Sequence, residues 1–328
     1  TMSIVFGMTI VMLVGFWDDV AKIAPMQKVG GQLVAAAALA ISGIGTNVAK
    51  QVLSPIGALV GNADLSWTIH VAGMDVPLNL TQWVGVVIIA VFVLGACNAS
   101  NLIDGLDGLL SGVTAIAGMG LLFIAVWMAQ GDTGPLDASR IVLCMALIGA
   151  CLGYLPHNWN PASIFLGDAG SLLLGYTTIV IVLTLGNEGA TNLVIAGLVI
   201  YSIPIIDTTL AIVRRKMAGQ SISSADANHL HHILKRGLGV KGAVLSLYGM
   251  GALFAVFGAA MIYGRSRVTY ALFMVLAGFI AVIAIKAARR HQLEEQAKRL
   301  AATPASPPMP EPGGHAPPAP AAPTAPVA

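Results

Sequence analysis

Hydrophobic residues in this chain gather into long runs, not into the alternating or one-faced patterns of soluble strands and helices. Runs of about 17 to 25 apolar residues match the hydrocarbon thickness of a bilayer. Nine such stretches lie near residues 1–16, 29–46, 82–97, 108–129, 139–155, 169–186, 191–209, 242–263 and 268–286. Turn-forming clusters separate them, such as Gly131-Asp132-Thr133-Gly134-Pro135 and Gly186-Asn187-Glu188-Gly189. Within the long connector 47–81, Trp67, Ile69 and Val71 alternate with polar residues, and a Gly73-Met74-Asp75 turn leads into Val76-Pro77-Leu78. That pattern predicts a small β-hairpin, with His70 at its surface. From about 301 onward Ala and Pro dominate, and such a sequence cannot build a core. The pattern therefore predicts an all-α polytopic membrane protein: about nine transmembrane helices over residues 1–290, one hairpin, and a disordered Pro/Ala-rich tail over 291–328.

Composition supports the membrane reading and excludes an ordinary soluble domain. The chain is 56% hydrophobic and 10% charged, with a mean hydropathy of +0.82, against roughly 25% charged residues in soluble proteins. A net charge of +2 gives no sign of a nucleic-acid partner. Cys97, Cys144 and Cys151 sit inside apolar runs without metal-ligand spacing, so they are expected to be small buried hydrophobes with no disulfide. The run at Thr1 has no basic leader and no small-residue cleavage pattern, so it is expected to be an internal helix and not a signal peptide.

The basic residues set the orientation. Nine spans put the chain ends on opposite sides, and one side collects thirteen Lys and Arg residues while the other has only Lys50, Arg140, Arg265 and Arg267. The excess marks the cytoplasm. The C-terminus is thus expected in the cytoplasm of a bacterial inner membrane, and the hairpin on the periplasmic side.

Four polar islands then fall on the cytoplasmic side: Asp18-Asp19, Asn98 to Asp107, Phe165 to Ser171, and Asp226 to His232. Asp18 and Asp19 point about 100° apart if helical, so different partners are expected for them. Asn98, Asn101, Asp104 and Asp107 recur every third residue and drift around a regular helix, while Gly105 and Gly108 favour an opening there. Their oxygens suit a hard cation and sugar or base hydroxyls. Asp168 lies between Gly167 and Gly170 at the start of a span, where free backbone amides attract phosphate and an Asp can also act as a plain N-cap. Phe165 offers either a stacking face to a base or an interfacial anchor. His229 and His232 are spaced to share a helical face, with His231 turned away, and phosphate contacts are favoured over zinc because the other islands supply hard oxygen ligands. Together these parts predict metal-assisted phosphoryl transfer on a lipid-borne substrate. A transporter with a carboxylate relay would need its acids near mid-span, and most here lie at span ends.

The order DD, then NASNLIDGLDGL, then FLGDAGS, then HLHH resembles the polyprenyl-phosphate N-acetylhexosamine-1-phosphate transferases across about residues 1–290. The resemblance implies transfer of a sugar 1-phosphate from a UDP-N-acetylhexosamine onto undecaprenyl phosphate, with release of UMP. It implies a magnesium cofactor, with Mn2+ as the substitute ion, and a homodimer is the assembly considered. Asp168 and Asn101 match the magnesium ligands. Asp18 and Asp19 match the acidic pair near the lipid phosphate, and Lys28 a lysine on the phosphates. Asn98, Asp104, Asp107 and Gly167 match the nucleotide-sugar site, Phe165 the aromatic under the uracil, and His229, His231 and His232 the histidine motif.

The HLHH form resembles the N-acetylglucosamine branch of surface-polysaccharide synthesis (O-antigen, common antigen or teichoic acid) more than the phospho-N-acetylmuramoyl-pentapeptide transferase branch. Two departures stand out. The family has eleven spans, so two more are expected ahead of Thr1. Its histidine motif follows Pro-Asp-Arg, where this chain reads Asp226-Ala227-Asn228, so Lys235 or Arg236 is expected to replace the missing arginine. A lipid phosphate is already largely a dianion at neutral pH, and an ordinary Asp is a weak base toward it, so Asp18 and Asp19 are expected to position more than to deprotonate.

Overall fold

The computed structural model describes residues 2–62, 65–71, 74–131, 134, 136–187, 190–217, 219, 221, 229–263, 267–269, 271–283 and 285–286. Asp226 and the tail over 291–328 lie outside the described residues.

The helices follow the apolar runs. In chain order they are α1 (Met2–Ala21), α2 (Pro25–Ile41), α3 (Thr46–Val60), α4 (Leu80–Ile103), α5 (Leu109–Ala129), α6 (Asp137–Asn158), α7 (Gly167–Leu185), α8 (Thr191–Ile200), α9 (Ser202–Met217) and α10 (Leu230–Ala260). A further apolar helix covers Arg267–Ile283, and the ring of Phe273 packs edge-on against Phe254 of α10 at 5.3 Å. Among the described residues, six helices (α1, α4, α5, α6, α7 and α10) are long and apolar enough to cross a membrane, or seven crossings if the bent α8–α9 pair is one. The other two expected spans, α2 and Arg267–Ile283, have 17 residues each and are marginal for a straight crossing.

Burial sorts these helices into centre and rim. About 72% of the apolar window is buried in α5 and α7, against 22–28% in α1, α4, α6 and α10. The outer helices turn apolar side chains such as Phe6, Leu13, Val87 and Met145 outward, as lipid permits. Close crossings use small residues, since apolar burial alone does not pull helices together in lipid. A Cβ on Gly175 of α7 would meet the Ala96 carbonyl oxygen of α4 at 2.5 Å, and one on Gly15 of α1 would meet the Ala169 Cα of α7 at 2.5 Å. All three cysteines are buried and free.

Several boundaries differ from the sequence reading. The first span continues to Ala21, so Asp18 and Asp19 occupy the last turn of α1. The span expected over 191–209 is broken, with α8 and α9 meeting at 76°. Pro204 sits in the first turn of α9, where its missing N–H costs no helical bond, and the helix then runs on to Met217. Part of the connector 47–81 is the helix α3, bracketed by Gly45 and Gly61 with φ of 85° and 68°. Its length and Pro55 hid it from an apolar-run search. Ser66–Val71 (β1) then pairs antiparallel with Met74–Asn79 (β2), and Asn79 caps α4 by accepting the Gln82 amide at 3.1 Å.

Candidate active site

Asp168 is the hub of one end of the bundle. Its Oδ2 contacts the Lys28 ammonium, which also lies 2.6 Å from Asp18 Oδ2, so a cation bridges carboxylates from α1 and α7. Its Oδ1 accepts a hydrogen bond from Asn101 Nδ2 at 2.7 Å, and the same amide reaches Ser171 Oγ at 3.0 Å. Asp19 takes a different partner. Its two oxygens accept the backbone N–H groups of Asp168 at 2.9 Å and Ala169 at 3.1 Å. The start of α7 is therefore capped from α1, and Asp168 is not the cap. This corrects the expectation of free phosphate-seeking amides there: Asp19 already holds two of them. Gly167 adopts a φ of 65°, and a Cβ on it would stand 2.6 Å from Asp19 Oδ2. Glycine thus serves both the turn and the cap.

The second island opens as its glycines require. α4 ends at Ile103, α5 begins at Leu109, and Gly108 between them has a φ of 77°. Asp107 accepts from Asn160 Nδ2 at 2.8 Å and from the Ala162 amide at 3.1 Å, while Asn158 Oδ1 accepts the Gly108 amide at 3.0 Å. The turn is thereby tied to the α6–α7 connector. A cleft of about 280 Å3 opens beside it, lined among others by Asn101, Asp104, Asp107, Phe165, Gly167 and Asp168. Phe165 is 75% exposed at this cleft. Asn98 is not brought to it, because its amide donates to Gln32 Oε1 at 2.9 Å and to the Leu94 carbonyl at 2.7 Å, tying α4 to α2. A larger polar cleft of about 340 Å3 lies at the other ends of α2 and α4, lined by Asn47, Lys50 and Gln82 but, among the described residues, by no carboxylate.

Burial, and then the neighbouring Asp168 carboxylate, push the Asp104 carboxyl up to about 7. In the unfolded chain the same group loses its proton near 3.8. Between these values the folded protein retains a proton that the unfolded chain has lost. The stability due to Asp104 is therefore complete below the lower value, declines as the pH rises through the window, and is level above it. Melting temperatures of the purified protein should fall more steeply between about pH 4 and 7 than those of Asp104→Asn. Parallel curves would exclude this assignment.

The histidine motif is assembled differently from the sequence expectation. α10 begins at Leu230, so His229 precedes the helix with extended backbone angles (φ −54°, ψ 151°) and cannot share a helical face with His232. Instead His229 Nδ1 and His231 Nδ1 converge on Asp207 Oδ2 of α9 at 3.1 and 3.0 Å. His232 lies beside them, its ring 4.3 Å from that of His231. Lys235 and Arg236 are exposed on the next turn of α10.

Asp168 and Asn101 are the residues here that could hold a hard divalent cation. Asp18 and Asp168 already gather one positive charge between them, and the Asp104 carboxyl lines the same cleft. Asn101 has a carbonyl oxygen to offer if its amide turns over.

Residues 1–186 match the family described as glycosyl transferase family 4. The chain belongs to that family. A probable undecaprenyl-phosphate N-acetylglucosaminyl 1-phosphate transferase of Bacillus subtilis is 32% identical over 284 residues, covering 86% of this chain and 70% of that protein. A decaprenyl-phosphate N-acetylglucosaminephosphotransferase of Mycolicibacterium smegmatis is 32% identical over 79% of this chain and 62% of its own length. A phospho-N-acetylmuramoyl-pentapeptide-transferase of Bacillus thuringiensis is 33% identical over 75% and 69%. The chain thus spans about two thirds of the length of these relatives. The family resemblance carried by the four motifs holds, and this family 4 glycosyl transferase is a multi-pass membrane protein.

The sequence reading of this family 4 chain missed Asp207. The signal was present, since an ionisable residue inside the apolar run 191–209 is expensive unless partnered or functional. Gln32 was likewise passed over, although it is fully buried and bonds to Asn98.

Proposed function

We propose that this family 4 chain moves a sugar 1-phosphate, N-acetylglucosamine 1-phosphate by preference, from its UDP-sugar to undecaprenyl phosphate. It does so at the cytoplasmic face of a bacterial inner membrane, releases UMP, and begins the assembly of a surface polysaccharide. The observation that carries this reading is Lys28 held between Asp18 and Asp168 beside Asn101, where the ends of α1, α2, α4 and α7 meet. Those ends share one side if α1, α2, α4, α5, α6, α7, the α8–α9 pair, α10 and Arg267–Ile283 are nine crossings, with the β1–β2 hairpin outside. The thirteen-to-four distribution of Lys and Arg supports a cytoplasmic placement of that shared side.

A lipid-phosphate oxygen attacks the sugar-bearing phosphorus of the UDP-sugar. The new phosphorus–oxygen bond replaces the bond to the bridging oxygen, which departs with UMP. Lys28 offsets the negative charge of the diphosphate. Asn101 and Asp168 would hold magnesium, or manganese in its place, which supplies further charge neutralisation on the transferring phosphoryl group. Asp104 and Asp107 meet the nucleotide sugar's hydroxyls, and Phe165 presents an exposed ring to the uracil. Asp18 fixes Lys28 and Asp19 fixes the start of α7, so both act by position.

Membranes containing the chain, supplied with undecaprenyl phosphate, magnesium and a panel of UDP-sugars, should release UMP with UDP-N-acetylglucosamine. Release only with the muramoyl-pentapeptide nucleotide would favour the second named activity among the relatives. Silence across the panel would overturn the reading.

A further inference from the structure

Asp207 is 1% exposed in the middle of α9, and its carboxylate gathers three successive residues at the start of α10. Oδ1 accepts the Leu230 amide at 2.5 Å, while Oδ2 faces His229 Nδ1 at 3.1 Å and His231 Nδ1 at 3.0 Å. A simple anchor for the helix end would need only the amide bond. Two imidazole nitrogens on one carboxylate oxygen impose more, because an ionised carboxylate can only accept. Both rings must carry their proton on Nδ1, and both Nε2 atoms are left for other work. For His231 the direction of that free end is fixed as well. A Cβ on Gly105 would come within 2.7 Å of His231 Nε2, and Gly105 lines the cleft next to Asp104.

We propose that Asp207 is a positioning residue for the nucleotide-sugar site: it locks His229 and His231 in the Nδ1–H tautomer and aims Nε2 of His231 at the Asp104–Gly105 edge of the cleft, where the anionic diphosphate binds. The proposal rests on the transferase reading above. An Nε2 that donates to a phosphate oxygen needs a second proton on the ring, and the Asp207 charge stands directly behind the imidazolium so formed. Carboxylates behind metal-bound histidines contribute about 10- to 100-fold through the ring they orient, and an effect of that order is expected for this pair. An amide at this position would offer an N–H to Nδ1 and favour the opposite tautomer, as happens when the acid of a catalytic triad becomes asparagine.

The test uses the full chain in lipid bilayers. Nitrogen-15 spectra of the imidazoles, with His229 and His231 assigned through single glutamine substitutions, should show protonated Nδ1 and bare Nε2 for both rings without nucleotide. The Nε2–H form at both would overturn the proposal, and this arm stands even if no UDP-sugar supports transfer. In the UMP-release assay Asp207→Asn should lower kcat about 10- to 100-fold with little change in KM for undecaprenyl phosphate, and Asp207→Glu should recover part of the loss. Adding His231→Gln to Asp207→Asn should cost little more, because Asp207→Asn has already disabled the His231 ring. Independent, multiplying losses would sink the idea, as would Asp207→Asn remaining within about threefold of wild type when wild type is active. A stoichiometric transition metal that survives dialysis and disappears in Asp207→Ala would replace the proposal with an ion site at the same three side chains.

Discussion

Replacing Asp168 with asparagine is expected to lower UMP release by about 10³-fold or more. The substitution keeps the side chain's shape but removes the charge on which Lys28 and Asn101 converge. Lys28 is then left to Asp18 alone, and any divalent ion loses its carboxylate ligand from α7. The fold should survive, because the start of α7 is held by Asp19 through the backbone amides of Asp168 and Ala169, which the substitution does not touch. Loss of rate and loss of protein are therefore separable. Membranes carrying equal amounts of wild type and variant, assayed at saturating UDP-N-acetylglucosamine, undecaprenyl phosphate and magnesium, provide the measurement. A variant within about tenfold of wild type would remove Asp168 from the centre of the site.

How far the sequence discloses this site depends on what each feature records. Apolar run length records the bilayer, so α5, α6 and α7 appear within about three residues of their observed bounds, whereas α4, expected to end at 97, runs on through the polar second island to Ile103. Polar residues at helix ends record the side of the membrane, which is why Asp18, Asp19, Asn101, Asp104, Asp107 and Asp168 could be grouped before any contact was known. Tertiary partners leave no such trace. The divergence of Asp18 and Asp19 follows from helical geometry, yet the capping of α7 by Asp19 depends on a crossing between helices that are remote in sequence. Asn98 has the same spacing as its neighbours, but one turn up α4 it meets Gln32 of α2 and not the cleft. The histidine motif was misjudged through a single boundary. With α10 starting at Leu230, it is the two histidines flanking that residue, not the pair three apart, that reach Asp207.

The crossing that aligns Asp19 with Asp168 leads to the second large effect. Gly15→Ala should reduce transfer by about 10²-fold while the protein still accumulates in the membrane. The added methyl would lie 2.5 Å from the Ala169 Cα, and 2.6 Å from both the Ala169 nitrogen and the Asp168 carbonyl carbon. These are backbone atoms of α7 and cannot swing aside as a side chain can. Restoring ordinary contact requires the two helices to separate by roughly 1 Å. Asp19 follows Gly15 by one helical turn on the same face, so the displacement carries its carboxylate away from amides now 2.9 and 3.1 Å distant. The cap loosens, the first turn of α7 is released, and Asp168 loses its fixed approach to Lys28. Gly149 of α6 is the matched control, because a Cβ there has no described atom within 4 Å. Gly149→Ala should leave transfer unchanged and slightly raise thermal stability by restricting the unfolded chain. If Gly15→Ala behaved like Gly149→Ala, the close packing of α1 on α7 would have no part in setting the geometry of the site. If its loss came instead with a matching fall in membrane abundance, the crossing would serve folding and not the alignment of Asp19.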